Sequence, residues 1–349
     1  MKTALILTGL SLIFLSSCDT FTSKTSDTKP FDFEVPKQPS VELNEAYYRL
    51  VNKADSLYNA KEYKSSALVY SEAFKANEWE GLSNDRYNAA CSWALAAIPD
   101  SAFFQLNRIA EKENYTNYER ITTDTGLNLL HADSRWAALL GLIKQNKEKA
   151  EANFNKPLVA ILDSIFTEDQ KYRIQIDEIQ KKFGSQSKEM QTHWKIIEGN
   201  DAANLIKVKA ILDKHGWLGP DIIGKEGNST LFLVIQHSDQ ETQEKYLPMM
   251  REAVKNGNAS SSSLALLVDR VALGQGKKQI YGSQVSMDMK TQLYYVKPLE
   301  DPDNVDKRRL EVGLEPLALY VKTWQIKWDV EQYKKDLPKF EKMEKGSLW

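Results

Sequence analysis

From Val41 onward, apolar side chains recur every three or four residues, the spacing of one face of an α-helix. Leu43, Tyr47, Leu50, Val51, Ala54, Leu57 and Tyr58 predict a first helix, Asn59 to Glu62 a turn, and Tyr63, Ala67, Tyr70, Ala73 and Phe74 a second. Tyr87 to Leu95 and Ser101 to Ala110 predict two more, with Pro99-Asp100 as the break between them. Leu127, Leu130, Trp136, Leu139, Leu140 and Ile143 carry the signal to about residue 145. A polar stretch from Lys144 follows. Then come Leu158, Ile161, Leu162, Ile165 and Phe166; Ile174, Ile176, Ile179 and Phe183; Met190, Trp194 and Ile197; and Leu205, Val208, Ile211 and Leu212. Gly216 suits a helix stop. The run Leu231 to His237 fits a strand or a buried helix by period alone, and helix is the expectation. Gln240 to Val254 and Leu264 to Val271 read as further buried helices. Only Tyr281 to Pro298 alternates like strands, Val285 and Met287 and then Leu293 and Tyr295, with Asp288 and Lys290 near the turn, a small hairpin. Val312 to Trp349 reads as helix ending in a solvated charged run. The fold class expected is mainly α with one small β-hairpin.

The first eighteen residues follow different rules. Lys2 precedes an apolar core of about 12 residues, and Leu15-Ser16-Ser17-Cys18 closes it. That core is shorter than the roughly 20 residues a spanning helix needs. Leu-Ser-Ser-Cys resembles the lipobox of bacterial lipoproteins. The resemblance implies a signal peptide at 1–17, and a diacylglycerol and an N-acyl chain on Cys18. One acyl chain alone binds membranes marginally, and additional chains make the anchor stable. The expected location is the bacterial cell envelope, facing the periplasm or the cell surface. Residues 18–40, rich in Ser, Thr, Lys, Asp and Pro, read as a flexible tether.

Composition narrows the partners. The chain is 42% hydrophobic and 27% charged, as in ordinary globular proteins, and its formal net charge of -2 offers no basic footprint for nucleic acid. With Cys18 acylated, Cys91 is alone and no internal disulfide forms. Cys91 lies in a helical pattern and reads as a small core residue.

The first helix pair resembles a tetratricopeptide repeat. Ala54 takes the first small position, Tyr63 and Tyr70 the aromatic positions of the second helix, and Ala73 the final Ala. Leu50 stands where Trp is usual and Ser66 where the middle Ala is usual, and no Pro closes the repeat. The expected domains are thus a tetratricopeptide-like region at 41–145, a second domain at 157–325 and a charged C-terminal helix or tail at 326–349. The first would offer a surface for a protein or peptide partner.

Candidate chemistry clusters in the second domain. His215-Gly216-Trp217, Gln236-His237-Ser238-Asp239, Asp269-Arg270 and Gln279-Ile280-Tyr281-Gly282-Ser283-Gln284 place polar residues at the ends of buried runs, where they must be hydrogen-bonded. Together with Asp301-Pro302, Arg308-Arg309 and Val312-Gly313-Leu314, in this order, they resemble a bacterial domain family of unknown function. Leu218 departs from the Pro expected after Trp217.

Two function classes follow. A binding or scaffold lipoprotein would hold a protein, peptide or small ligand, with Trp217, Gln236, Arg270, Gln279, Tyr281 and Gln284 as candidate ligand contacts or core network. A cell-envelope hydrolase or transferase would use His215 and His237 as acid–base groups, with Asp239 or Asp269 orienting an imidazole and Arg270 holding an anion. No cofactor is called for, and no metal motif such as His-Glu-x-x-His occurs. Asp301 to Asn304 hints at a calcium loop but lacks Gly at the sixth position and Glu at the twelfth.

Overall fold

A computed structural model describes residues 35–36, 43–288 and 290–346. Among these the chain forms fifteen α-helices and one two-stranded antiparallel hairpin. The chain divides into two compact units, Pro39–Phe154 and a second one built mainly from Asn155–Trp349. The lipobox, Cys18 and most of the expected tether lie outside the described residues.

The first unit holds α1 (Glu45–Asn59), α2 (Tyr63–Ala76), α3 (Ser83–Leu95), α4 (Pro99–Lys112), the short α5 (Tyr118–Thr123) and α6 (Arg135–Glu151). Asn44 starts α1 by accepting the Tyr47 amide, 2.8 Å. Ala54, Ala67 and Ala73 are fully buried, and Tyr47, Tyr70 and Phe74 fill the space beside them. Ser66, also buried, donates to the Ala54 carbonyl at 2.8 Å, so its hydroxyl is satisfied inside the α1–α2 contact. Pro99, expected to separate two helices, sits in the first turn of α4, where its missing N–H costs nothing. Cys91 is buried, and its thiol pKa is pushed up by desolvation and by Asp124.

The second unit is built around α7 (Lys156–Arg173), α8 (Ile176–Phe183), α9 (Lys188–His215), α10 (Pro220–Gln236), α11 (Gln240–Lys255) and α12 (Ser261–Gly274). The Leu231 to His237 run is helical, and Leu231, Val234 and Ile235 join one apolar core with Leu162, Ile165, Val208, Leu212, Leu247, Met250, Leu264 and Val268. Gly216 ends α9 with φ 69°, a conformation that L side chains rarely adopt. Ser260 caps α12. Three contacts show that α7 and α10 run in the same direction. The Asn155 amide donates to the Ile222 carbonyl at 2.8 Å, Gly227 meets Leu162, and His237 meets Asp169. A Cβ on Gly227 would come within 3.1 Å of the Leu162 side chain, so the close approach depends on glycine there.

The hairpin pairs β1 (Val285–Met287) with β2 (Tyr294–Val296), Val285 opposite Val296. Val305, Leu317, Val321 and Tyr333 pack against it in a smaller core. After the short α13 (Val305–Glu311) and α14 (Leu317–Tyr320), the charged C-terminal run forms helix α15 (Val330–Gly346), with Lys335, Lys339 and Lys342 exposed. Tyr333, Leu337 and Phe340 interleave its charges at helical spacing and face inward, and Phe340 stacks on Tyr295 at 4.8 Å. From the expected tether, Val35 packs against the larger core and its backbone bonds Tyr281.

Candidate functional site

The last two turns of α7 carry Asp169 and Arg173 on the same face as the buried Leu162 and Ile165. Both charged side chains are about as buried as the leucine, 1% exposed each. An ionised group in such a place must be paired and hydrogen-bonded. Arg173 Nη1 donates to Asp169 Oδ1 at 3.0 Å, an i,i+4 pair, and Nη2 donates to Oδ2 of Asp201 on α9 at 2.6 Å. Gln170 Nε2 donates to Asp169 Oδ2 at 2.7 Å.

His237 closes the cluster. It caps α10, and its Nδ1 lies 3.1 Å from Asp169 Oδ1. With Asp169 ionised, Nδ1 must be the donor, which leaves Nε2 as the lone-pair nitrogen. Desolvation pushes the His237 pKa down, Asp169 opposes that, and Arg173 adds to the lowering, so the imidazole is neutral near pH 7. Burial alone would raise the Asp169 carboxyl. His237, Arg173 and Gln170 together outweigh it and hold the carboxyl below its ordinary value.

Arg270, near the end of α12, shares this field. Burial lowers its guanidinium to about 10, Tyr320 pulls it back up, and the charge of Arg173 lowers it further. Several polar atoms of the surrounding helices are buried without a hydrogen-bond partner: Asn204 Nδ2 one turn from Asp201, Gln236 Oε1 beside His237, and Gln243 Oε1. Gln243 Nε2 donates to the Gln236 and Ser238 carbonyls at 3.3 and 2.7 Å, which ties α11 to the His237 corner.

Ligand atoms of Asp169, Asp201 and His237 all lie within 4.8 Å of one another, a donor set of the kind divalent cations take. The guanidinium of Arg173 already bridges both carboxylates, so the cation between them is the protein's own.

The other candidates lie elsewhere. His215 is exposed in the last turn of α9. Asp239 is the N-cap of α11, accepting the Thr242 amide at 2.7 Å. Asp269 is fully buried and holds a loop: Oδ1 accepts from the Ile280 and Tyr281 amides at 2.7 and 2.9 Å, and Oδ2 from Ser283 at 2.8 Å. Burial raises its pKa while these three amides pull it down. Gln279 works the same way, accepting the Gln284 amide at 2.8 Å and donating to the Gln284 and Lys297 carbonyls at 2.9 and 2.8 Å. The Gln284 side chain donates to Ser283 Oγ at 3.0 Å. The Tyr281 carbonyl accepts from buried Arg309 at 2.6 Å. Trp217 is buried in the apolar core with Nε1 unbonded. Asp301 to Asn304 is no calcium loop, since Arg308 bonds Asp301 and Lys334 bonds Asp303.

The structure thus joins His237 to three residues that sequence reasoning missed: Asp169, Arg173 and Asp201. The available signal was phase. Leu162, Ile165, Asp169 and Arg173 are spaced by three, four and four, so two charges continue an apolar stripe.

Residues 157–331, half of the chain, match a family described as a family of unknown function (DUF6624). No curated protein and no solved structure matches the chain. The matched segment contains the whole Asp169–Arg173–Asp201–His237 cluster and the Asp269–Gln279 loop. The chain belongs to the DUF6624 family.

Proposed function

We propose that this protein is a lipid-anchored cell-envelope protein whose C-terminal domain binds a small ligand at the His237 centre. One observation carries the reading: a buried imidazole is gripped through Nδ1 by a carboxylate that a buried arginine holds in turn, so Nε2 is presented in a fixed direction. A second reading, acid–base chemistry on that ligand, draws on the same Nδ1–Asp169 bond, which is how catalytic histidines are oriented. In that reading Asp169 takes the role expected for Asp239 or Asp269, and His215 has none.

The anchor rests on the lipobox at Cys18, and no described helix is long and apolar enough to cross a membrane. The tetratricopeptide-like helices of the first unit supply a further surface for a protein or peptide partner.

The test is native mass spectrometry of the purified parent beside His237→Asn. The reading expects a non-covalent small-molecule adduct on the parent that the variant loses while keeping its fold. An adduct carried equally by both, or a parent with none that no metabolite stabilises in thermal shift, contradicts it. Cys18→Ala should release the protein from membranes, and retention there overturns the anchor.

A further inference from the structure

The eight-residue α8 has none of its side chains fully buried. Ile176, Ile179 and Phe183, spaced by three and four, form its apolar stripe, and Phe183 is 46% exposed. The charges of α8 are sorted by end. Asp177 and Glu178 stand in its first turn, Lys181 and Lys182 in its last, as the helix dipole favours. Lys182 Nζ lies 5.1 Å from the centre of the Phe183 ring, so the exposed ring has a cation beside it. Gly184 then ends the helix at φ 92°, a turn that L side chains rarely make.

Two hydrogen bonds join this end of α8 to the tip of the hairpin. Ser185 Oγ donates to Gln292 Oε1, and Gln180 Nε2 to the Tyr294 hydroxyl, both at 3.5 Å. Between Gln292 and Tyr294 sits Leu293, 69% exposed. Lys290 on the tip and Lys188 at the start of α9 are exposed as well. The acids nearby are Glu189, exposed, and Asp288, whose side chain is only 14% exposed. Asp288 accepts the Lys290 amide at 2.9 Å and has Lys339 of α15 within 3.8 Å. Two neighbouring turns thus each offer one large apolar side chain to solvent, with Lys181, Lys182, Lys188 and Lys290 around them.

This chemistry selects the occupant. Apolar side chains on turns ringed by lysines suit a flat anionic surface: the side chains enter the acyl boundary and the ammonium groups stay among headgroup phosphates. Chain length argues the same way. Val35 packs on this unit, and Cys18 precedes it by 17 residues, a span of at most about 60 Å. A lipid on Cys18 keeps this unit beside a bilayer.

We infer that Phe183 and Leu293 insert into an anionic lipid surface, with Lys181, Lys182, Lys188 and Lys290 on its phosphates. The inference rests on the lipid anchor proposed above. Its test uses the full acylated chain in vesicles, with Phe183→Cys and Leu293→Cys labelled separately by an environment-sensitive dye and folding checked by circular dichroism. Cys91 is buried with a raised thiol pKa, so the dye goes to the new cysteine. On vesicles of phosphatidylglycerol and phosphatidylcholine both labels should shift to the blue and be quenched by brominated acyl chains. Replacing Lys181 and Lys182 together by Gln should lower the ratio of inserted to aqueous label about 30-fold, about fivefold for each lysine. A label at Phe104→Cys on α4, where Phe104 is 62% exposed, should stay aqueous. The inference is overturned if either patch label stays aqueous on these vesicles, if the Gln pair changes nothing, or if the label at 104 inserts equally. A patch label shielded before any vesicle is added also overturns it, since a protein then covers the patch. Flotation of the parent reads the anchor separately. A parent that does not float contradicts the anchor, and the same labels with excess vesicles added still decide the docking surface.

Discussion

Replacing Asp169 by Ala removes the acceptor of three donors at once: Arg173 Nη1 at 3.0 Å, His237 Nδ1 at 3.1 Å and Gln170 Nε2 at 2.7 Å. Arg173 stays buried, with only the partly exposed Asp201 to balance it. Breaking a buried ion pair from one side costs about 3–5 kcal/mol. In a domain of this size each kcal/mol moves the melting point by roughly 2–4 °C, so the C-terminal unit should melt roughly 6–20 °C lower. Asp169→Asn keeps an oxygen for the donors but loses the charge, and should cost about 1–3 kcal/mol. Differential scanning calorimetry of parent, Ala and Asn variants checks both the size and the order. An Ala variant melting within about 2 °C of the parent would refute the reasoning, because it would mean the four side chains do not depend on one another.

Acidification gives a second test. The folded pKa of His237 lies below its unfolded value near 6.5, so between the two the unfolded chain binds the extra proton and stability falls as pH drops through that window. Asp169, whose pKa is also depressed, keeps its contribution above about pH 4 and loses it as pH falls through the folded value. Urea unfolding against pH should show both losses in the parent and only the second in His237→Asn. Asp269→Ala strands three backbone amides, at about 1–3 kcal/mol each, and hydrogen exchange should show the 279–284 loop losing protection before the rest of the domain. An unchanged loop would mean Asp269 does not hold it. Cys91, buried with a raised pKa, should react with a thiol reagent only as fast as the first unit opens, and prompt labelling of the native protein would contradict its core placement.

Local order was readable from residue spacing because it depends on near neighbours. The helices, the Gly216 stop and the hairpin at Val285 to Val296 all follow from periods and stops a few residues long. The partner of His237 was not readable that way. Asp169 lies 68 residues away and arrives through the parallel run of α7 beside α10. Asp239 is nearest in sequence, and that very closeness to the start of α11 makes it a helix cap. Asp269 follows an apolar run and looked like a site residue. The Gln279–Gln284 loop folds back and its amides take up the charge. In α15 the charges outnumber the aromatics, yet Tyr333 and Phe340 at helical spacing decide which face is buried.

The central claim is that Asp169 fixes the His237 imidazole with Nε2 presented to a ligand. Nitrogen-15 NMR of the ring through a pH titration reads this directly. A neutral Nδ1–H tautomer should persist below pH 6.5, with the preference for Nδ1–H lost in Asp169→Asn. A ring that titrates near 6.5, or carries its proton on Nε2 in the parent, would contradict it.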